Sequence, residues 1–294
     1  MCPRHACAGR KMRPERIIMR IAIITAAGVS SRFNKGYAET DYVLKMIYSE
    51  GDEHETLLYH LLEKCAFADR IVVVGGYRYE ELQAYLGSPV ISDELREKVR
   101  LIFNKHFEDL KSGYSLYKGL EKALSYDPEE IIFIEGDVDT DDESFASVVE
   151  AEGTVLTYNR EPIYSEKAVV FYQKDDGEYH YAFSQVHGTL QIEDPFWCIL
   201  NSAQMWKFTD MEALAASNEE FGESFYDETN LFIVQGYLDR LPEEERILLR
   251  ELKDWTNCNT REDWQCLREK WRERQSHEPP VLSCVEEQES YSRS

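Results

Sequence analysis

The sequence predicts a three-layer α/β fold in which a mostly parallel sheet lies between helices. Two observations carry this prediction: short apolar runs alternate with segments of helical periodicity, and several runs end in small-residue or polar loops. A strand of a parallel sheet is covered on both faces, so it is apolar throughout instead of alternating. Ligands of such sheets bind at the carboxyl ends of the strands, which makes those loops the candidate site.

The first half of the chain carries the alternating pattern. Its predicted strands are Ile21–Ile24, Ile71–Val74, Val99–Phe103 and Ile131–Ile134. Apolar residues at helical spacing predict helices over Glu55–Cys65, Tyr79–Leu86 and a segment from Ser112 or Gly113 to Leu124. The loops 26–32, 75–77, 104–113 and 135–139 all follow predicted strands, so we expect them to meet at one edge of the sheet.

The second half is richer in strands and is expected to complete the same fold. Its predicted strands are Gly153–Tyr158, Ala168–Tyr172, Glu178–Phe183 and Phe196–Leu200, with a hairpin turn at Asp175-Asp176-Gly177. Helices are expected over Glu223–Leu238 and, capped by Thr260, over Arg261–Arg272. No repeat or long linker occurs, so residues 19–274 are expected to form one domain with halves at about 19–150 and 151–274. Residues 1–18 are expected to be a disordered extension and 275–294 a frayed tail.

The composition excludes several classes of protein. The 294 residues are 43% hydrophobic, which allows a sizeable core, and the formal net charge of -23 opposes binding to nucleic acid or anionic lipid. No apolar run approaches the ~20 residues of a membrane span. The seven cysteines form no CxxC pair, which disfavours a zinc site or a disulfide framework. We therefore expect a cytoplasmic protein without membrane insertion.

The loop after the first strand has the chemistry of a phosphate site. Ala26-Ala27-Gly28 allows the backbone to approach an anion closely, and Ser30, Ser31 and Arg32 add two hydroxyl groups and a cation. The loop matches neither a Walker A motif nor a dinucleotide fingerprint, because Gly28 stands alone. It is expected to bind the phosphates of a nucleoside triphosphate.

Three motifs, taken in chain order, resemble the nucleotidyltransferases of GT-A-like fold: this loop, Gly136-Asp137 after a strand, and Asn259-Thr260-Arg261-Glu262-Asp263 before the last helix. Asn104 and Ser112-Gly-Tyr-Ser-Leu116 add similarity to bacterial choline-phosphate and phosphoglutamine-type cytidylyltransferases. The resemblance covers roughly residues 19–270. It implies Mg²⁺-dependent transfer of CMP from CTP to a small phosphorylated or phosphonate metabolite, with release of pyrophosphate. Such products serve the decoration of cell-surface polysaccharides and related polymers.

The resemblance implies that Arg32 binds the β- and γ-phosphates and that a lysine contacts the α-phosphate. Members of the family often carry a Pro-Lys pair shortly after the arginine, but Asp41-Tyr42 occupies that position here. We therefore expect Lys45 to be the functional cation, with Lys35 as the second candidate.

The resemblance also implies a metal site. Asp137 ends a strand and Asn259 lies in the distant carboxy-terminal motif, and both offer the oxygen ligands that Mg²⁺ prefers. Many relatives have an aspartate at the position of Asn259, so the number of metal ions stays open. Asp139 and Asp141 are expected to be solvated residues at the cap of a helix.

Two further groups of residues are expected to recognise the substrates. The base and ribose of the nucleotide are expected to contact the backbone closely at Gly75, Gly76 and Tyr77. The polar side chains of Asn104 and Ser115 are expected to recognise the base. A cation or a histidine suits an anionic acceptor, which is expected at Arg160, Lys167 and His187. Asp194, with nearby Trp197 and Trp206, suits a cationic amine through charge and cation–π contact.

The proposed nucleophile, a phosphate oxygen, is already ionised and needs no general base, so catalysis reduces to positioning and charge neutralisation. Three alternatives stay open. They are a nucleotidyltransferase of another specificity, such as a sugar-1-phosphate or molybdenum-cofactor type, a GT-A glycosyltransferase, and a nucleotide sensor without activity. Asp137-Val-Asp139 formally matches the DxD motif of the glycosyltransferases. The oligomeric state is open too, with a homodimer as one alternative.

Overall fold

The computed structural model describes residues 18–164, 169–182, 189–242 and 244–277. Its strands are β1 (Arg20–Ala26), β2 (Arg70–Gly75), β3 (Val99–Phe103), β4 (Glu130–Glu135), β5 (Val138–Asp139), β6 (Val155–Asn159), β7 (Val170–Lys174), β8 (Tyr179–Tyr181), β9 (Phe196–Phe208), β10 (Leu248–Glu251) and β11 (Thr256–Asn257). Its helices are α1 (Leu57–Lys64), α2 (Tyr79–Leu86), α3 (Asp93–Lys98), α4 (Ser112–Leu124), α5 (Asp142–Val149), α6 (Met211–Glu220), α7 (Asn230–Leu238) and α8 (Arg261–His277).

The main sheet has the order β10-β6-β9-β4-β1-β2-β3, and β7 and β8 extend it beside β9. Strands β4, β1, β2 and β3 are parallel, so their carboxyl ends share one edge. β9 runs antiparallel between β4 and β6 and joins the two halves of the chain in one sheet. The predicted α/β class with a mostly parallel central sheet is confirmed.

Alternate residues of β1 enter two separate cores, which gives the three layers. Ala22 and Ile24 pack with the leucines of α1 and with Trp264 and Trp271 of α8. Ile21 and Ile23 pack on the opposite face with α4, α6 and α7. Both faces of the strand are therefore buried, as its continuous apolar sequence requires.

The structure corrects two predicted elements of the second half. β9 does not end at Leu200 but continues to Phe208, because the polar residues after Leu200 find buried hydrogen-bond partners. The helix predicted over Glu223–Leu238 is wrong in its first part: a π-helical turn covers Phe221–Phe225 and α7 begins at Asn230. The break has a tertiary cause, since the carbonyl of Glu228 accepts the Gly113 N–H at 3.1 Å.

Candidate active site

A cleft of about 260 Å³ lies at the carboxyl edge of β1 and β4 and reaches the first turn of α4. Its walls include many of the residues that the sequence singles out, namely Ala26, Ala27, Gly28, Ser30, Lys45, Asn104, Ser115 and Asp137. They also include Thr25, Met46, Phe107, Leu110, Lys111, Ser112, Glu135 and Gly136. Among the described residues, the lining contains neither histidine nor cysteine, so those residues offer none of the usual pairs of a histidine or cysteine nucleophile with its base.

Backbone hydrogen bonds hold the loops after the strands together. The Gly136 N–H donates to Thr25 O at 3.1 Å, and the Tyr77 N–H donates to Ala27 O at 3.1 Å. A Cβ at position 136 would lie closer than 3.0 Å to that Thr25 oxygen, so only glycine fits there. At Gly28, in contrast, nothing lies within 4 Å of the Cβ position. The small-residue loop is therefore fixed on its protein side and open on its cleft side.

Hydrogen bonds from side chains of the loop to the backbone of residues 43 and 45 position Lys45 beside the cleft. The buried amide of Asn34 donates to Val43 O at 2.9 Å and accepts the Val43 N–H at 3.0 Å. Ser30 Oγ accepts the Lys45 N–H at 3.2 Å. Lys45 Nζ then lies 3.1 Å from Asp137 Oδ2, and the two side chains are 14% and 22% exposed. A cation and a carboxylate thus meet in a partly desolvated position beside the loop.

The other predicted phosphate-binding residues do not line the cleft. Ser31 and Arg32 are exposed, and Arg32 makes no ion pair with any residue that the structure describes. Lys35, the second candidate cation, is exposed as well. A role for Arg32 on the phosphates stays a prediction.

Sequence reasoning missed the buried carboxylate of Glu135, the last residue of β4. Its Oε1 accepts a hydrogen bond from Asn230 Nδ2 at 2.6 Å, and its Oε2 accepts one from Gln204 Nε2 at 2.9 Å. Burial, with the Asp137 carboxylate nearby, raises the pKa of Glu135 to about 8. The available signal was a glutamate that directly continues an apolar strand, two residues before Asp137.

A small antiparallel ladder brings the carboxy-terminal motif to Asp137. β5 and β11 pair, and the Cys258 N–H donates to Asp137 O at 2.7 Å. Asn259 follows directly, and its Oδ1 is buried without a hydrogen-bond partner. Asp263 Oδ2 accepts the backbone N–H groups of Asn259 and Thr260 at 2.8 Å each, which secures this turn at the start of α8.

Asp137 and Asn259 suit Mg²⁺, which is commonly held by one or two protein oxygens while phosphates and water complete its coordination shell. The orphaned Asn259 oxygen is the kind of buried acceptor that a cation satisfies. In the parts of the chain that the structure describes, no group of three or more histidine, cysteine or acidic residues is arranged so that it could hold a metal ion. A dedicated all-protein cage is therefore not present within those parts.

The predicted base-binding residues divide into two groups. Asn104 and Ser115 line the cleft and bond to each other, with Asn104 Nδ2 2.9 Å from Ser115 Oγ. Gly75 and Gly76 are buried behind the loop, where a Cβ on Gly76 would meet Phe107 and the Ala27 carbonyl closer than 3.0 Å. Their close approach is thus to the protein itself, and contact of Gly75, Gly76 and Tyr77 with a nucleotide stays a prediction.

Two of the predicted acceptor residues, Lys167 and His187, lie outside the described residues. Arg160 is exposed at the end of β6 and pairs with Glu251 at 2.8 Å. Asp194 is exposed and accepts the Tyr172 hydroxyl at 3.1 Å. Trp197 is 76% exposed, whereas Trp206 is fully buried against Phe133 and cannot contact an acceptor.

Asp139 is not a solvated capping residue, contrary to the expectation. Its side chain is 1% exposed, and its Oδ2 accepts Arg274 Nη1 at 2.8 Å and Trp271 Nε1 at 3.3 Å. Asp141 does cap α5, since its Oδ1 accepts the Ser144 N–H at 2.8 Å. The partners of Asp139 lie in α8, more than 130 residues along the chain, so no local pattern could reveal them.

The fold is similar to that of nucleotidyltransferases of known structure. The CTP:phosphocholine cytidylyltransferase of Streptococcus pneumoniae is 17% identical with a TM-score of 0.56, over 86% of this chain and 100% of that one. The inositol-1-phosphate CTP transferase of T. maritima is 18% identical with a TM-score of 0.56, over 87% and 97%. A putative glucose-1-phosphate thymidylyltransferase of Bacillus anthracis is 16% identical with a TM-score of 0.61, over 86% and 95%.

In sequence, the chain belongs to the family described as a domain of unknown function, DUF6564, whose model matches residues 41–271. No curated protein matches it. Among the residues described, no helix is long and apolar enough to cross a membrane.

Proposed function

We propose that this protein is a Mg²⁺-dependent nucleotidyltransferase that transfers CMP from CTP to a small phosphorylated or phosphonate metabolite and releases pyrophosphate. The observation that carries the proposal is the Lys45–Asp137 pair, 3.1 Å apart, beside a small-residue loop at the carboxyl edge of parallel strands. That arrangement offers a backbone cradle, a cation and a hard oxygen ligand within one cleft.

The residues divide the work of an in-line displacement at the α-phosphorus. The open backbone of Ala27-Gly28 supports the triphosphate, and Arg32 reaches its β- and γ-phosphates. Asp137 and Asn259 would hold Mg²⁺, and Lys45, which now pairs with Asp137, would contact an α-phosphate oxygen. The metal supplies charge neutralisation on the triphosphate when bound. The acceptor phosphate is its own nucleophile, which agrees with the lack of histidine and cysteine among the described lining residues.

Cytosine specificity is the finer part of the proposal. It is supported by the resemblance of the Asn104 and Ser112–Leu116 region to cytidylyltransferases and by two fold neighbours that are named as CTP enzymes. Fold neighbours named for glucose-1-phosphate or UDP-glucose support the second candidate, a sugar-1-phosphate nucleotidyltransferase. A glycosyltransferase is disfavoured, because Asp139, the second aspartate of its DxD motif, is committed to Arg274. We place the reaction in the cytoplasm, where nucleoside triphosphates are available.

The test is pyrophosphate release with Mg²⁺, each common nucleoside triphosphate and a panel of phosphorylated amines, phosphonates and sugar 1-phosphates. We expect release with CTP and an anionic amine-bearing acceptor, and loss of release in Asp137→Asn. Asp141→Asn is the matched control, since asparagine also caps a helix and the residue lies outside the cleft lining. Absence of pyrophosphate in every combination, together with cleavage of a nucleotide-sugar, would reject the proposal.

A further inference from the structure

A directional chain of hydrogen bonds connects the cleft to Asn259. Gln204 Nε2 donates to Glu135 Oε2 at 2.9 Å, Asn257 Nδ2 donates to Gln204 Oε1 at 2.8 Å, and Asn259 Nδ2 donates to Asn257 Oδ1 at 2.7 Å. The four residues come from β4, β9, β11 and the turn before α8. We call Glu135, Gln204 and Asn257 the amide relay. It ends at Asn259 Oδ1, which is buried and has no partner.

The start of the amide relay sets its direction. Each carboxylate oxygen of Glu135 accepts a donor, one from Gln204 and the other from Asn230. Both oxygens of Glu135 thus face NH₂ groups, and an amide that donates at one end presents its oxygen, an acceptor, at the other. Gln204 must therefore turn its NH₂ group to Glu135 and its oxygen to Asn257. The same constraint passes to Asn259, which bonds through its NH₂ group and leaves its oxygen available.

The backbone conformation of Gln204 indicates that the surrounding structure holds this residue in place. Its φ is 59°, which is costly for a residue other than glycine and persists only where the surroundings enforce it. Here β9 shifts register against β6, a bulge that redirects side chains. Thr157 Oγ1 fills the gap by donating to Met205 O at 2.6 Å and accepting the Met205 N–H at 3.3 Å. The bulge thus aims Gln204 between Glu135 and Asn257.

We propose that Gln204 and Asn257 are positioning residues that orient the amide of Asn259 so that its oxygen, and not its NH₂ group, serves as the metal ligand. This inference rests on the proposed function, because it takes Asp137 and Asn259 to bind a divalent cation. Mg²⁺ and Mn²⁺ accept oxygen ligands, whereas an NH₂ group turned toward them repels the cation. A carboxylate at position 259 would present an oxygen in either orientation and would make the amide relay dispensable.

The experiment measures Mn²⁺ binding to the purified chain by the electron paramagnetic resonance signal of free Mn²⁺, without nucleotide or turnover. Outer-shell partners of metal ligands change affinity by about 10–100-fold, so Asn257→Leu is expected to weaken Mn²⁺ binding at least tenfold. The same substitution in an Asn259→Asp background is expected to change the affinity by less than about twofold. Gln204→Met should repeat this pattern from another strand.

Two controls separate orientation from general damage. Asn201→Leu removes a buried amide of β9 that bonds to Asn159 outside the amide relay, and it should leave the Mn²⁺ affinity unchanged. Urea unfolding of every variant establishes that it is folded, and a variant of Asn257 that does not fold is replaced by Gln204→Met.

Three results would overturn the inference. Asn257→Leu could leave Mn²⁺ binding unchanged, or could weaken it equally with asparagine and aspartate at 259, which would make Asn257 a merely structural residue. Alternatively, Asp137→Asn could leave the Mn²⁺ binding of the chain unchanged, or the wild-type chain could bind no Mn²⁺ at all. Pyrophosphate release is measured on the same preparations to separate these failures from failure of the proposed function. If the wild type releases pyrophosphate but the effect of Asn257→Leu on Mn²⁺ binding does not depend on the residue at position 259, only the amide relay is rejected.

Discussion

Replacing Lys45 by methionine removes the ammonium from the cleft and keeps most of the aliphatic side chain. Lys45 Nζ lies 3.1 Å from Asp137 Oδ2 and its side chain is 14% exposed, so its charge acts in a partly desolvated environment. Loss of one such donor to developing charge costs about 10²–10³ in rate, or roughly 3–4 kcal/mol of activation free energy. The effect on folding is expected to stay within about 1 kcal/mol, because Asp137 remains accessible to water.

The assay combines kcat/KM for pyrophosphate release with urea unfolding of the same preparation. Lys45→Met should lose at least about a hundredfold in kcat/KM while its unfolding midpoint hardly moves. Lys35→Met is the matched control: Lys35 is exposed, makes no ion pair within the described ranges and does not line the cleft. The reverse result, a large loss for Lys35→Met and a small one for Lys45→Met, would refute the assignment of the functional cation.

Three further predictions concern stability, each read from urea unfolding. Gly136→Ala should destabilise the chain by about 3 kcal/mol, because the new Cβ meets a backbone oxygen of β1, whereas Gly28→Ala meets nothing within 4 Å and should have no effect. Arg274→Met should cost about 3 kcal/mol by leaving the buried Asp139 carboxylate unpaired, and adding Asp139→Asn should recover most of it; a double variant no better than the single one would contradict this. Burial lowers the pKa of His60 from 6.5 to about 4, so as pH falls below 6.5 the unfolded chain takes up a proton first and stability is lost. The wild type should therefore lose about 2 kcal/mol more than His60→Gln between pH 7.5 and pH 5, and equal losses in the two proteins would show that reasoning to be wrong.

The parallel half of the sheet was predictable because its signals are local. Each of β1 to β4 is an apolar run that enters both cores, and α2 occupies the predicted residues. Lys45 was predicted from the family pattern, although Asp41-Tyr42 replaces the usual Pro-Lys pair, and its position depends on hydrogen bonds between distant points of the loop. The hydrogen bonds between Asn34 and Val43 and between Ser30 and Lys45 hold Lys45 next to Asp137.

The parts that sequence reasoning missed depend on tertiary partners. The polar residues after Leu200 indicate the end of a strand when read alone, yet Gln204 continues β9 through a bulge with a left-handed backbone. In sequence, Asp139 resembles an exposed helix-capping residue, but in the structure it is buried and pairs with Arg274. In each case a buried polar side chain bonds to a residue far along the chain, and periodicity contains no information about such pairs.

In the proposed function, the cleft presents the α-phosphate of CTP for transfer to an acceptor phosphate. The most direct test is ³¹P NMR of the protein with Mg²⁺, CTP and the acceptor that gives the highest pyrophosphate release. We expect loss of the triphosphate resonances, one pyrophosphate signal and a pair of coupled signals from a new diphosphate diester, and none of these changes with Asp137→Asn. Formation of CDP and inorganic phosphate, with the acceptor resonance unchanged, would contradict it.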